Sequence, residues 1–287
     1  MLYIFLTILA GFCYSLMSVF IKMAYDFSNE PTITFFRFFS ALAMLVPIYF
    51  ISGKPTLKTK IPFLHFIRGL FGFLMFTLYT ISLQYIPVEN ALALNSTYPL
   101  FIPLLLFLVF KEKISKNTVL GIVVGFIGVY IIINPSTQDY MSWAAILALV
   151  SAVCSAASNI TIRTLRQTES SFSIVFYFFL IATVVSLFYM LFAKPQINFD
   201  AIWLLLGIAV TSLVSQQLLS YVLKFLHPNI VSSLMYSSIV FGFLFSWIFW
   251  GKVPTLFQIL GTLIIIVGMM ILKKTKIPVK QVREKVV

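Results

Sequence analysis

Eight polar side chains without charge sit deep in long apolar runs, and they are the residues with chemistry to offer: Tyr14, Tyr79, Asn95, Tyr98, Asn159, Gln216, Gln217 and Tyr236. A polar group facing hydrocarbon is expensive, so such side chains turn towards a cavity or a partner helix. Asn95 and Tyr98 are three apart and share one helix face. Pro99 and Pro103 follow them. Prolines free backbone carbonyls in mid-helix, which is tolerated where the backbone lines a cavity. Gln216 and Gln217 are adjacent and cannot both face lipid cheaply. Amides, hydroxyls and aromatic faces of this kind hold a small polar or ring-bearing molecule. Each residue also has a structural reading. Ser96 and Thr97 can satisfy a proline kink, glutamines can bond between helices, and in a chain that is 17% aromatic any one tyrosine can be core. Ser151, Ser155 and Ser158 read as a small-residue packing stripe, with Asn159 beside them as the site candidate.

The charges read separately. Lys22 and Arg163 end the first and sixth apolar runs, on opposite membrane faces, and are candidates to guard two mouths. Arg37 lies a turn or two inside the second run, as a headgroup anchor, a partnered structural charge or an anion attractor at an outer vestibule. The eight acidic residues all fall in breaks or at run ends. Proton-driven carriers place a carboxylate or histidine in the membrane interior, so facilitated diffusion or exchange is expected in place of proton coupling. His65 and His227 read as solvated interface residues. Metal-ligand spacing is absent from the sequence, and no metal or cofactor is expected. A membrane enzyme acting on lipid would need acid, base or metal ligands clustered at one depth, which makes that class a poor match.

The elements that position these residues follow from composition. The chain has 287 residues, 61% hydrophobic and 10% charged, with mean hydropathy +1.03. Soluble domains carry about 25% charged residues, so the solvent is a bilayer and the fold class is an all-α membrane protein. About 20 apolar residues cross roughly 30 Å of hydrocarbon as a helix. Ten such spans are predicted, at 2–22, 32–51, 64–84, 90–110, 118–134, 143–162, 172–192, 201–223, 231–250 and 256–272. Residues 1–21 carry no cationic leader and no small-residue cleavage site, so the first run is expected to be retained. The net charge of +12 does not point to nucleic acid, because the cations sit between the runs and in the tail. With the amino terminus inside, sixteen lysines and arginines fall on the inner side, Arg68 counted among them. Three, Lys22, Lys194 and Lys252, fall outside. The positive-inside rule therefore puts both termini in the cytoplasm.

The chain is also written twice. At a shift of 140, Glu112 falls on Lys252, Gly121 on Gly261 and Gly128 on Gly268. Leu83–Ile86 falls on Leu223–Leu226, and one extra residue places Pro87 on Pro228. Cys13 and Cys154 occupy matching places within apolar runs and read as small buried filler, with no disulfide framework. Five spans are an odd number, so the second unit enters from the opposite side, as a 5+5 inverted repeat of 1–134 and 143–272 followed by a basic cytoplasmic tail, 273–287. That architecture supports alternating access.

These features resemble the drug/metabolite transporter superfamily, in its ten-helix EamA-type branch. The resemblance is carried by Arg37-Phe38-Phe39-Ser40-Ala41, Arg68-Gly69-Leu70, Tyr98-Pro99-Leu100-Phe101, Lys111-Glu112-Lys113 and Trp250-Gly251-Lys252-Val253-Pro254. One departure is Lys252 where the family usually has glutamate. The resemblance implies transport of small organic metabolites, with six of the helix positions lining a central cavity. The fifth and tenth are peripheral, so that Gly121, Gly125 and Gly128 serve close packing. The expected cargo is a small polar or zwitterionic metabolite, amino-acid-like or nucleoside-like, with S-adenosylmethionine one cargo type of the family. Export of apolar or aromatic compounds is the alternative. The expected setting is a bacterial cytoplasmic membrane, and the expected assembly a monomer or weak dimer.

Overall fold

The computed structural model describes residues 1–133, 143–196, 198–226 and 228–272. The calls for His227, for the Asn134-Pro135-Ser136 break and for the basic tail lie outside the described residues. The apolar runs are helical because, away from water, a segment must satisfy its own backbone donors and acceptors. The helices are α1 (Leu2–Ala24), α2 (Glu30–Ile51), α3 (Pro62–Tyr85), α4 (Val88–Asn95), α5 (Tyr98–Phe110), α6 (Lys116–Ile133), α7 (Trp143–Leu165), α8 (Ser171–Phe192), α9 (Ile202–Val222), α10 (Pro228–Met235), α11 (Ser237–Trp250) and α12 (Leu256–Ile271). Among the described residues, eight stretches are long and apolar enough to cross a membrane, with α4–α5 and α10–α11 each counted as one stretch. Residues 116–132 and 256–271 are shorter apolar helices. At 1.5 Å per residue the second of these reaches only about 24 Å. Chain breaks use residues suited to them. Gly53 and Gly251 take positive φ, and Asn29 precedes a helix with Pro31 in its first turn.

The packing repeats itself. Matching the first five spans to the second five, α3 packs on α7 as α9 packs on α1, α5 on α7 as α11 on α1, and α4 on α7 as α10 on α1. Two pairs are matched to themselves, and both run antiparallel. In α2–α8, Glu30 accepts from Tyr189 and Tyr49 meets Phe172. In α6–α12, Gly121 faces the backbone of Gly268 and Gly128 that of Gly261. Antiparallel mates place a pseudo-two-fold axis across the helices, so the halves run in opposite directions.

The core runs through the bundle, and its aromatic part lies where α2, α3 and α8 meet. Phe38, Phe76, Phe178 and Phe179 are fully buried there, with Phe38 edge-on to Phe178 at 5.7 Å. Outward positions carry large apolar groups, such as Leu108, Phe188, Leu191 and Met270. An outward face of this kind is what lipid contact requires.

One local feature carries a stability prediction. At α12, the Thr255 side chain accepts from the Gln258 amide while the Gln258 side chain accepts from the Thr255 amide. This reciprocal cap holds the short helix at its start. Thr255→Ala is expected to cost about 1 kcal/mol, read as a lower melting temperature of the detergent-purified protein.

Candidate functional site

The fourth and ninth expected spans are both broken, and the breaks meet at the centre. α4 stops at Asn95 and α5 begins at Tyr98, with Pro99 in the first turn of α5 and Pro103 inside it. α10 stops at Met235 and α11 begins at Ser237, with no proline within three residues. The hydroxyl of Tyr236, in the second break, donates to the carbonyl of Ser96 in the first at 3.3 Å and contacts the Met269 sulfur. The break is thus a feature of the repeat, and proline accompanies it in one copy only.

Asn95 is the hub of the polar groups here. Its Oδ1 accepts from the Tyr14 hydroxyl at 3.0 Å, and its Nδ2 donates to Ser151 at 2.8 Å. Tyr14 stacks on Tyr79 at 5.6 Å, and Tyr79 in turn shares a hydrogen bond of 2.8 Å with Ser18. Asn159 gives Nδ2 to the Ser155 carbonyl. Gln216 accepts at Oε1 from Arg68 at 2.8 Å, and Tyr98 donates to Ser232 at 3.1 Å.

Two joined chambers run through these groups. The inner one, of about 560 Å³ including its open space, has Tyr14, Arg68, Asn95, Tyr98, Asn159 and Gln216 in its wall. The second, of about 700 Å³ including its open space, shares Tyr98, Asn159 and Leu219 with the first and adds Arg163, Leu223 and Tyr236. Its wall is made from the ends of α7, α9 and α12, the start of α5 and the middle of α10. The opposite end of the bundle is held shut. Lys22 donates to the carbonyls of Leu83 and Ile86 at 2.8 Å each. Glu89 accepts from Ser246, and Gln258 donates to Asn90 at 2.8 Å.

Six of the eight neutral candidates therefore line one continuous cavity. Tyr79 does not, being fully buried behind Tyr14. Gln217 lines neither chamber, and its side-chain oxygen is buried without a partner. Among the candidate mouth charges, Arg163 is at the wall of the second chamber. Lys22 ties off the carbonyl end of α3, where a cation is favourable. Arg37 is at no mouth: it is 1% exposed and donates to Ser212.

Arg68, His65 and two serines of α7 are also placed otherwise than expected. Arg68, counted with the inner loop charges, is 2% exposed and sits in the inner chamber wall, because α3 starts six residues before it. His65 is buried too, against Tyr177. The six acidic residues among the described residues do lie at helix starts or in breaks, yet Glu30 and Glu89 are buried, each accepting from a neighbouring hydroxyl. Ser155 and Ser158, read as packing residues, reach the inner chamber. Periodicity along one helix cannot separate a packing stripe from a cavity wall. Arg68 was findable, since a cation four or more residues into an apolar run is rare enough to single out.

A helical bundle of two antiparallel halves, with a polar cavity where their broken helices meet, is built as a membrane carrier for small molecules. The chain belongs to the EamA-like transporter family, whose profile matches it twice, over residues 1–134 and 142–273. It is 32% identical to the "Pseudopaline exporter CntI" of Pseudomonas aeruginosa over 95% of this chain and 96% of that one. It is 35% identical to the "S-adenosylmethionine uptake transporter" of Rickettsia felis, over 54% of this chain and 52% of that one. A solved crystal structure superposes with a TM-score of 0.65 at 15% identity, covering 94% of both chains, and shares the fold. The protein is therefore a multi-pass membrane transporter of a small molecule.

Proposed function

We propose that the chain carries a small polar or zwitterionic organic metabolite, amino-acid-like or nucleoside-like, by alternating access and exchange. The observation that carries this reading is the wall of the inner chamber. It gathers Asn95 and Asn159 amides, the Tyr14 and Tyr98 hydroxyls and the Gln216 amide beside the ring of Phe76. Polar groups that converge in an apolar setting fix the orientation of a bound molecule and set its specificity. Residues 1–134 and 143–272 act as the two inverted units, which rock about the cavity between them. The cavity opens to one side in this conformation, and the Lys22 and Glu89 contacts close the other. Both termini face the cytoplasm of a bacterial cell, with the basic tail on that side. The relatives named above support an organic metabolite as cargo, and their names point in opposite directions of transport, as a reversible carrier allows. Exchange in place of proton drive is favoured because, among the described residues, no carboxylate lines either chamber.

Proteoliposomes preloaded with amino acids, nucleosides or S-adenosylmethionine, one at a time, test this reading. Labelled substrate outside is expected to enter transiently by counterflow in one of these sets, without an imposed pH gradient. Accumulation driven by a pH gradient with empty vesicles defeats the exchange mechanism. Absence of counterflow throughout, with export of apolar dyes, defeats the polar-metabolite reading.

A further inference from the structure

Two arginines are buried in the bundle, and among the described residues neither has a carboxylate against it. Arg37 gives Nε and Nη2 to the Ser212 hydroxyl and lies 3.3 Å from the centre of the Phe76 ring. Arg68 gives Nη2 to Gln216 and lies 4.0 Å from the centre of the Phe178 ring. Phe76 and Phe178 are themselves 6.1 Å apart, so the two cations bracket one aromatic pair. Nη1 of Arg37 and both Nε and Nη1 of Arg68 are buried without a partner.

A guanidinium keeps its charge under ordinary conditions, so it cannot escape burial by losing a proton. Stacking on a ring and one amide oxygen offset only part of the cost of dehydrating it. The two buried acids are engaged elsewhere, Glu30 with Thr34 and Tyr189 and Glu89 with Ser246. The chain also makes room for Arg68. A Cβ on Gly72 would lie 2.3 Å from Nη1 of Arg68 and 2.5 Å from the Phe178 ring. Of the two arginines only Arg68 lines the inner chamber.

We propose that Arg68 is the receptor for a carboxylate on the transported molecule. Gln216 and Phe178 hold its guanidinium at the chamber wall, and a carboxylate oxygen supplies charge-assisted hydrogen bonds to the guanidinium nitrogens that have no partner within the protein. Arg37, one ring deeper, adds positive potential without touching the cargo. The carrier then selects acids over the matching amides, whose neutral carbonyl gains far less from a guanidinium. This deepens the transport reading above and rests on it.

The test uses the full-length protein in detergent. The probes are L-amino acids and short dicarboxylic acids, each paired with its primary amide, and inorganic phosphate alone. At least one acid is expected to raise the melting temperature where its amide does not. Arg68→Gln is expected to weaken that acid at least tenfold, and Arg68→Lys less. Gly72→Ala, which keeps the charge but displaces the guanidinium, is expected to weaken it also. Size-exclusion elution and the ligand-free melting temperature show which variants remain folded, and Gly72→Ala carries the test if Arg68→Gln does not fold. The proposal is overturned if amides act as well as acids, if no acid acts, or if folded Arg68→Gln and Gly72→Ala variants respond like the parent. Phosphate alone matching the best acid also overturns it, in favour of a phosphate site. Counterflow of amides as fast as acids sinks the carboxylate receptor and leaves the carrier intact, whereas no counterflow of any probe sinks both.

Discussion

Asn95→Leu is expected to slow exchange of the polar cargo roughly 10- to 100-fold while the protein still purifies as a single folded species. The two side chains share branching and number of heavy atoms, so leucine keeps the shape of asparagine with only modest overpacking. The change is in what the neighbours lose. Tyr14 gives its hydroxyl to Asn95, and Ser151 receives from it. Ser151 keeps a second bond, to the carbonyl of Ala148 at 2.7 Å, but the Tyr14 hydroxyl loses the amide oxygen it donates to. A buried hydroxyl without a partner costs about 1–3 kcal/mol. Each ~1.4 kcal/mol is a factor of ten, and the loss falls on a wall residue of the chamber. Initial counterflow rates in proteoliposomes measure it. A rate within twofold of the parent would mean that the Asn95 hub is structural and takes no part in holding cargo.

Gly128→Val has the largest expected effect on folding. A Cβ at Gly128 would lie 2.6 Å from the carbonyl oxygen of Gly261 and 2.7 Å from the amide nitrogen of Ile265. Both belong to the backbone of α12, which cannot rotate away as a side chain can. The helices must separate, and with them the matching close approach at Gly261, where an added Cβ would lie 2.8 Å from the Gly128 carbonyl oxygen. Overpacking of this kind costs about 1–3 kcal/mol, occasionally more. Because α6 and α12 pack face to face, the variant is expected to elute as aggregate or to melt well below the parent. Gly207→Ala is the internal control. Its nearest atoms are the outer ring carbons of Phe20, 2.9 Å away, and a ring edge can shift. Equal stability of the Gly128→Val variant and the parent would show that the close approach of α6 and α12 is not required.

The broad architecture was legible because the bilayer leaves the chain few options. Long apolar runs must be helices, and Gly53 and Gly251 mark breaks by a backbone conformation that glycine takes without strain. Gly121, Gly125 and Gly128 were expected to serve close packing, and Gly121 and Gly128 do pack backbone to backbone against Gly268 and Gly261. The two mid-span breaks were only half legible. Pro99 and Pro103 advertise the first, while the second, at Tyr236, has no local signal. It depends on the Ser96 carbonyl, 140 residues away, to which Tyr236 donates.

What the sequence by itself determined is the all-helical membrane class, the repetition and the family, since these follow from apolar length, spacing and order along the chain. What only the tertiary structure decided is which polar groups face one another. Arg68 reads as a loop cation until α7, α8 and α9 close around it, and Tyr79 reads as a wall residue until Tyr14 is laid over it. Ser155 shows the same limit from the other side, as a packing residue by its spacing and a wall residue by its place. The physical reason is that a helix face acquires its environment from helices distant in sequence. The cost of burying a charge or an amide is set by that environment.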